Sequence, residues 1–160
     1  MKKTMALAIV LACWASSTGR LGAHCEVPCG IYDDDRQFAE MHEDQTTIAK
    51  AIAGIQDLTG SLGGGPQPLA INQVSRWVAT KEAHANNTQH IIAQYFMTQR
   101  IKADDPKYVD KLTKAHAVLV AAMKVKQAAD DASAEALHKA LDAFQEAYTG
   151  KPVVHAAAAK

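Results

Sequence analysis

Beyond residue 32 the apolar side chains recur at helical spacing in four runs. Phe38, Met41, Ile48, Ile52 and Ile55 follow one another at intervals of three, four and seven residues up to Gly60, the period of a helix that buries one stripe. Asp33, Asp34 and Asp35 precede that run and place negative charge where a helix N-terminus favours it. Ser61-Leu62-Gly63-Gly64-Gly65-Pro66-Gln67-Pro68 predicts a loop. A second long pattern runs from about Leu69 to Lys102, with Val74, Trp77, Val78, Ile91, Ile92, Tyr95 and Phe96 on its apolar side. Asp104-Asp105-Pro106 predicts a helix start, a capping carboxylate followed by proline at the first helical position. The third helix then carries Tyr108, Val109, Leu112, Leu119 and Met123. Asp130 to Ser133 reads as a short turn, and Leu137, Leu141, Phe144 and Tyr148 mark a fourth helix that stops at Gly150. Four amphipathic helices with short connections predict an all-α, up-down four-helix bundle around one core. No alternating strand pattern and no internal repeat competes with it.

Length and charge refine this picture. At 160 residues the chain suits one domain, long enough to bury a real core. Formal net charge is zero, yet the first 23 residues hold only Lys2, Lys3 and Arg20, so removing them leaves 14 basic against 17 acidic groups, about −3. No basic stripe points to nucleic acid, and no apolar run of about 18 residues or more points to a membrane span. Lys2-Lys3 followed by the apolar Met5 to Trp14 and the small residues up to Ala23 forms the pattern of a secretory leader. Val10-Leu11-Ala12-Cys13 offers an alternative, lipoprotein processing at Cys13. The expected layout is a signal peptide or pro-segment over 1–23, a domain over 24–150 and a disordered tail over 151–160. The protein is expected to be exported, periplasmic or extracellular after a peptidase cuts before His24.

Chemistry concentrates in His24-Cys25-Glu26-Val27-Pro28-Cys29-Gly30-Ile31-Tyr32. A cut between Ala23 and His24 leaves five metal donors within six residues: the α-amine and imidazole of His24, the backbone nitrogen of Cys25, and the thiolates of Cys25 and Cys29. Amine, amide nitrogen and first thiolate close successive small chelate rings and are drawn toward a plane. Cys29, returned by a turn at Pro28, can complete an N2S2 square. Planar coordination with nitrogen donors suits Ni(II) or Cu(II), whereas zinc prefers a tetrahedron.

His-Cys-X-X-Pro-Cys-Gly-X-Tyr at a mature N-terminus resembles the nickel hook of the nickel-containing superoxide dismutases, and its six defining residues are all present. The resemblance implies a nickel ion that cycles between Ni(II) and Ni(III) and converts superoxide to dioxygen and hydrogen peroxide. It implies that Cys25 and Cys29 are the thiolate ligands, that Cys25 adds its amide nitrogen, and that His24 binds through its amine and, in the oxidised state, its imidazole. Tyr32 would stand over the open face as the catalytic tyrosine, with Pro28 and Gly30 shaping the loop. Counting from His24 places Glu40 at the glutamate that supports the imidazole in that family. The family's partner arginine has no counterpart, because Thr80 to Ala85 contains Lys81 and His84 but no Arg. Lys102 is the candidate for attracting the superoxide anion. Assembly as a homohexamer, which shelters the thiolates, is also implied.

Two plainer readings stand beside this one. Cys25 and Cys29 in an exported protein can form a disulfide, and the same N-terminal chelate on a non-catalytic bundle would merely bind nickel or copper. His42, His84, His90 and His116 fall on predicted helices without an i, i+4 partner among themselves and read as core or surface histidines. Trp77, Tyr95 and Phe96 read as core or subunit-contact residues. The absence of Cys-X-X-Cys-His argues against covalent c-type haem.

Overall fold

The structure is a computed structural model and describes residues 34–60 and 67–155. Four helices follow in order: α1 (Asp34–Gly60), α2 (Pro68–His90), α3 (Tyr108–Gln127) and α4 (Asp131–Thr149), with a π-helical stretch, Ile91–Arg100, prolonging α2. Packing runs round a ring, α1 on α2, α2 on α3, α3 on α4 and α4 on α1. Cross-links fix the directions. The start of α1 meets the end of the π stretch through Arg100 and Asp34, and the end of α4 through Tyr148. Lys81 near the middle of α2 reaches the end of α3, while Gln89 bonds to Leu119 further back along it. Neighbours are therefore antiparallel, and the architecture is the up-down bundle expected from the periodicity. Among the described residues there is no strand, and no helix is long and apolar enough to cross a membrane.

The core follows the predicted stripe closely in α1 and α4. Phe38, Met41, Ile48, Ile52 and Ile55 of α1 are buried, as are Leu137, Leu141 and Phe144 of α4. Phe38, Phe96, Phe144 and Tyr148 form an aromatic cluster with ring centroids 4.7 to 5.9 Å apart. Those spacings are the range of favourable offset and edge contacts.

α3 departs from expectation. Of its predicted apolar residues, Val109 and Met123 are exposed, and Tyr108, Leu112 and Leu119 sit at the core margin. The fully buried face is instead Ala115, Val118, Ala122 and Val125. Alanine at two of these positions leaves room for the neighbouring helices to close over the face. The helix also starts two residues after Pro106, at Tyr108. Asp105 still serves the start, accepting the Lys107 N–H at 2.7 Å. The segment read as a turn before α4 is its N-cap: Asp130 accepts the Ser133 N–H at 2.7 Å.

The second helical pattern also differs from its reading. In its first half Leu69, Ile71 and Val78 are exposed and Val74 and Trp77 half-buried. The second half widens into the π stretch, closed by Ile101 N–H to Phe96 C=O at 2.8 Å. Five-residue hydrogen bonding aligns residues four and five apart, so Ile91 and Ile92 stack above Tyr95 and Phe96, and all four are buried. Of the tail, Lys151–His155 turn back along α4, with Val153 N–H donating to Glu146, and 156–160 lie outside the described residues.

Candidate functional site

One end of the bundle is organised around Asp34, the first residue of α1. Four donors converge on its carboxylate: Tyr95 Oη at 2.7 Å, Tyr148 Oη at 2.8 Å, and Arg100 through Nε at 2.8 Å and its terminal nitrogen at 2.9 Å. The two-pronged guanidinium bond is the strong form of such a contact. Partial burial alone would push the Asp34 carboxyl up. Hydrogen bonds from Arg100, Tyr95 and Tyr148, with the Arg100 charge, outweigh it and hold Asp34 below the usual carboxylate range. Burial, and then the neighbouring Asp34, push the Tyr95 and Tyr148 phenols up to about 12. The bond to Asp34 also holds Arg100 more firmly charged. The π stretch and α4 are thereby both tied to the first residue of α1, from which the preceding segment departs. The sequence pattern marked Asp34 only as helix-start charge and Tyr95 and Tyr148 only as apolar-face residues, since nothing in a single sequence pairs positions more than sixty residues apart.

Six residues further along α1, Glu40 lines an open cavity of about 670 Å³ between α1 and α2, together with Arg36, Glu43, Asp44, His84 and Asn87. Asn87 donates to Glu40 at 3.0 Å and to Asp44 at 2.9 Å. Asp44 is buried and also accepts from His84 Nδ1 at 2.6 Å and from Thr88 at 3.2 Å. A buried carboxylate with several donors needs no further counter-charge. The cavity wall is thus held by hydrogen bonds that α2 sends to α1.

Lys81 and His84, the basic residues of the stretch that holds no arginine, separate clearly. Lys81 is buried and points away from Glu40, donating to the carbonyls of Val125, Lys126 and Ala128 at 2.6, 2.8 and 3.0 Å. It caps the end of α3, where a cation meets both orphan carbonyls and the negative helix terminus. His84, by contrast, shares the cavity with Glu40. Lys102 is exposed just beyond Arg100, at the same end of the bundle as Asp34. His24, Cys25, Pro28, Cys29, Gly30 and Tyr32 lie outside the described residues.

The model of one protein family, described as nickel-containing superoxide dismutase, matches residues 20–151. No curated protein and no solved structure gives a significant match.

Proposed function

The chain belongs to the nickel-containing superoxide dismutase family, and from that membership we propose that it is an exported nickel-dependent superoxide dismutase whose metal site begins at His24 after removal of residues 1–23. The observation that carries the proposal is the coincidence of His24, Cys25, Pro28, Cys29, Gly30 and Tyr32 in one nine-residue segment with a family match that starts upstream of it and runs through the bundle. The donor set fits nickel. The two thiolates and a deprotonated amide are strong electron donors, and amine, amide and thiolates in sequence favour a planar site over zinc's tetrahedron. Nickel held there would supply the one-electron chemistry by which two superoxide ions and two protons become dioxygen and hydrogen peroxide.

The other assignments describe what this chain's own residues do. His24 contributes its amine and imidazole, Cys25 its thiolate and amide, and Cys29 its thiolate. Tyr32 limits access to the open face and orders substrate or water there with its hydroxyl. Asp34 stands two residues after Tyr32, and its four hydrogen bonds anchor the departure point of the hook. Glu40 supports the His24 imidazole, its own carboxylate held by Asn87; support of this kind orients a ligating histidine. His84, in the Glu40 cavity, stands where an arginine is missing. Lys102, exposed at the same end of the bundle as Asp34, draws the superoxide anion in. Assembly with further copies, a hexamer by family resemblance, shelters the thiolates from oxidation.

The test combines intact mass and N-terminal sequence of the natively expressed protein with metal content and superoxide consumption on the same sample. A chain starting at His24 that carries about one nickel, filling one planar site, and consumes superoxide is the expected result. A chain starting at Cys13, or one with a Cys25–Cys29 disulfide and no nickel, would overturn the reading. Nickel bound without turnover would leave only a metal-binding bundle.

A further inference from the structure

On the α1–α4 face, away from Glu40, three imidazoles converge on one carboxylate. Asp142 of α4 receives His155 Nε2 at 3.0 Å from both of its oxygens. His138 Nε2, one helical turn earlier, lies 3.6 Å from Oδ2, and His42 Nε2 of α1 lies 4.0 Å from Oδ1. Candidate ligand atoms of His42, His138 and Asp142 all fall within 4.8 Å of one another, and the rings of His42, His138 and His155 meet edge-on or tilted, with centroids 4.7 to 6.3 Å apart. An ordinary carboxylate–histidine pair explains His155 alone. The other two nitrogens stand beyond hydrogen-bond distance of Asp142, and the buried Nδ1 of His138 has no hydrogen-bond partner among the described residues.

We propose that His42, His138, Asp142 and His155 form a second metal site, distinct from the N-terminal hook, which takes a divalent zinc-like ion in tetrahedral N3O coordination. Zinc bonds of about 2.0–2.2 Å to nitrogen and oxygen put the ligand–ligand edges of a tetrahedron at about 3.3 Å. The Asp142–imidazole distances of 3.0, 3.6 and 4.0 Å straddle that edge; His42, His138 and Asp142 form the compact trio, and His155 joins them by turning its ring from Asp142 toward the ion. Imidazole with carboxylate and no thiolate is the ligand chemistry of zinc and its borderline neighbours. His138 and Asp142, four apart on one helix, form a preset pair of ligands. The site is half-buried, beside a cavity of about 420 Å³ whose wall includes His42, Gln145, Val153 and His155. Gln145 Oε1 bonds His42 Nε2 at 2.7 Å and gives up that bond when the nitrogen turns to the ion. Occupancy staples α1, α4 and the segment Lys151–His155 together, a structural role that needs no redox chemistry.

The test uses the full chain with Cys13→Ser, Cys25→Ser and Cys29→Ser, so that the hook thiolates contribute nothing. Zinc alone is titrated by calorimetry, and unfolding is followed by circular dichroism with and without zinc. The expected result is one equivalent of zinc and a raised unfolding midpoint, both lost in His138→Gln and Asp142→Asn and unchanged in His116→Ala. His155→Ala removes a ligand beyond the last helix without touching the core, and should weaken binding by more than about tenfold. Absence of saturable zinc binding in the cysteine-free chain would overturn the proposal. So would equal affinity in the His138→Gln, Asp142→Asn and His155→Ala chains. Because the hook is disabled throughout, neither outcome bears on the nickel reading.

Discussion

Asp34 draws its importance from four donors on one carboxylate, and its titration follows from them. Its depressed pKa means that its contribution to stability is present above the ordinary carboxylate value of 3.8 and lost as pH falls through the lower folded value. Tyr95 and Tyr148 behave oppositely. Raised from 10.0 to about 12, they contribute fully below pH 10 and lose that contribution as pH rises toward 12. Asp34→Asn should therefore cost about 1–2 kcal/mol at neutral pH, a difference that shrinks in acid and again in alkali when denaturation midpoints are compared. Ultraviolet titration of the phenols should show two of the four tyrosines ionising late in the wild type and earlier in Asp34→Asn. Unaltered titration would show that the carboxylate does not control them. At this scale residue type was legible but partnership was not. Asp34 was visible as helix-start charge, and the pairing with Arg100 was set by a helix phase that the chain alone does not reveal.

Between elements, α1 and α2 meet closely at Gly54. A Cβ built there would meet the Trp77 indole at 2.7 to 3.0 Å, so glycine is required by contact rather than by backbone angle. Gly54→Ala gains helix propensity of about 1 kcal/mol, but displacing a rigid ring from a packed contact costs about 1–3 kcal/mol. The expected outcome is net destabilisation in the wild type. In the Trp77→Ala background the same change should be neutral or stabilising, so a double-mutant cycle by chemical denaturation measures the coupling. An additive cycle would sink this account. Helix existence and most helix ends were readable from spacing and from stops such as Gly150, whereas the cap at Asp130 reads in sequence only as a turn. The face that α3 buries was not, because Ala115 and Ala122 carry little hydrophobic signal and become core residues only where two neighbouring helices close over them. The π stretch escaped for a related reason: Ile91, Ile92, Tyr95 and Phe96 also pair at spacings of three and four, which an α-helix satisfies equally well.

For the whole molecule, Phe96 joins the π stretch to α1 and α4, since its ring contacts Phe38, Phe144 and Tyr148. Phe96→Ala should cost about 3–5 kcal/mol, measured by thermal or denaturant unfolding. It should also loosen the end of the bundle that holds Asp34, read as faster amide exchange at the start of α1. A loss below about 1 kcal/mol would mean that the cluster collapses around the void. Bundle class, helix number and the hook motif were determined by the sequence itself, because hydrophobic period, caps and a chelating donor order are local properties of neighbouring residues. Tertiary structure alone decided the rest. It turned Lys81 away to cap α3, left His84 sharing the cavity of Glu40, and brought His42, His138 and His155 around Asp142. His138 and Asp142 stand four apart on α4, but His42 stands about a hundred residues earlier in the chain. The physical reason is common to all three: such contacts depend on the relative rotation of packed helices, which the core as a whole sets and no short stretch of sequence encodes.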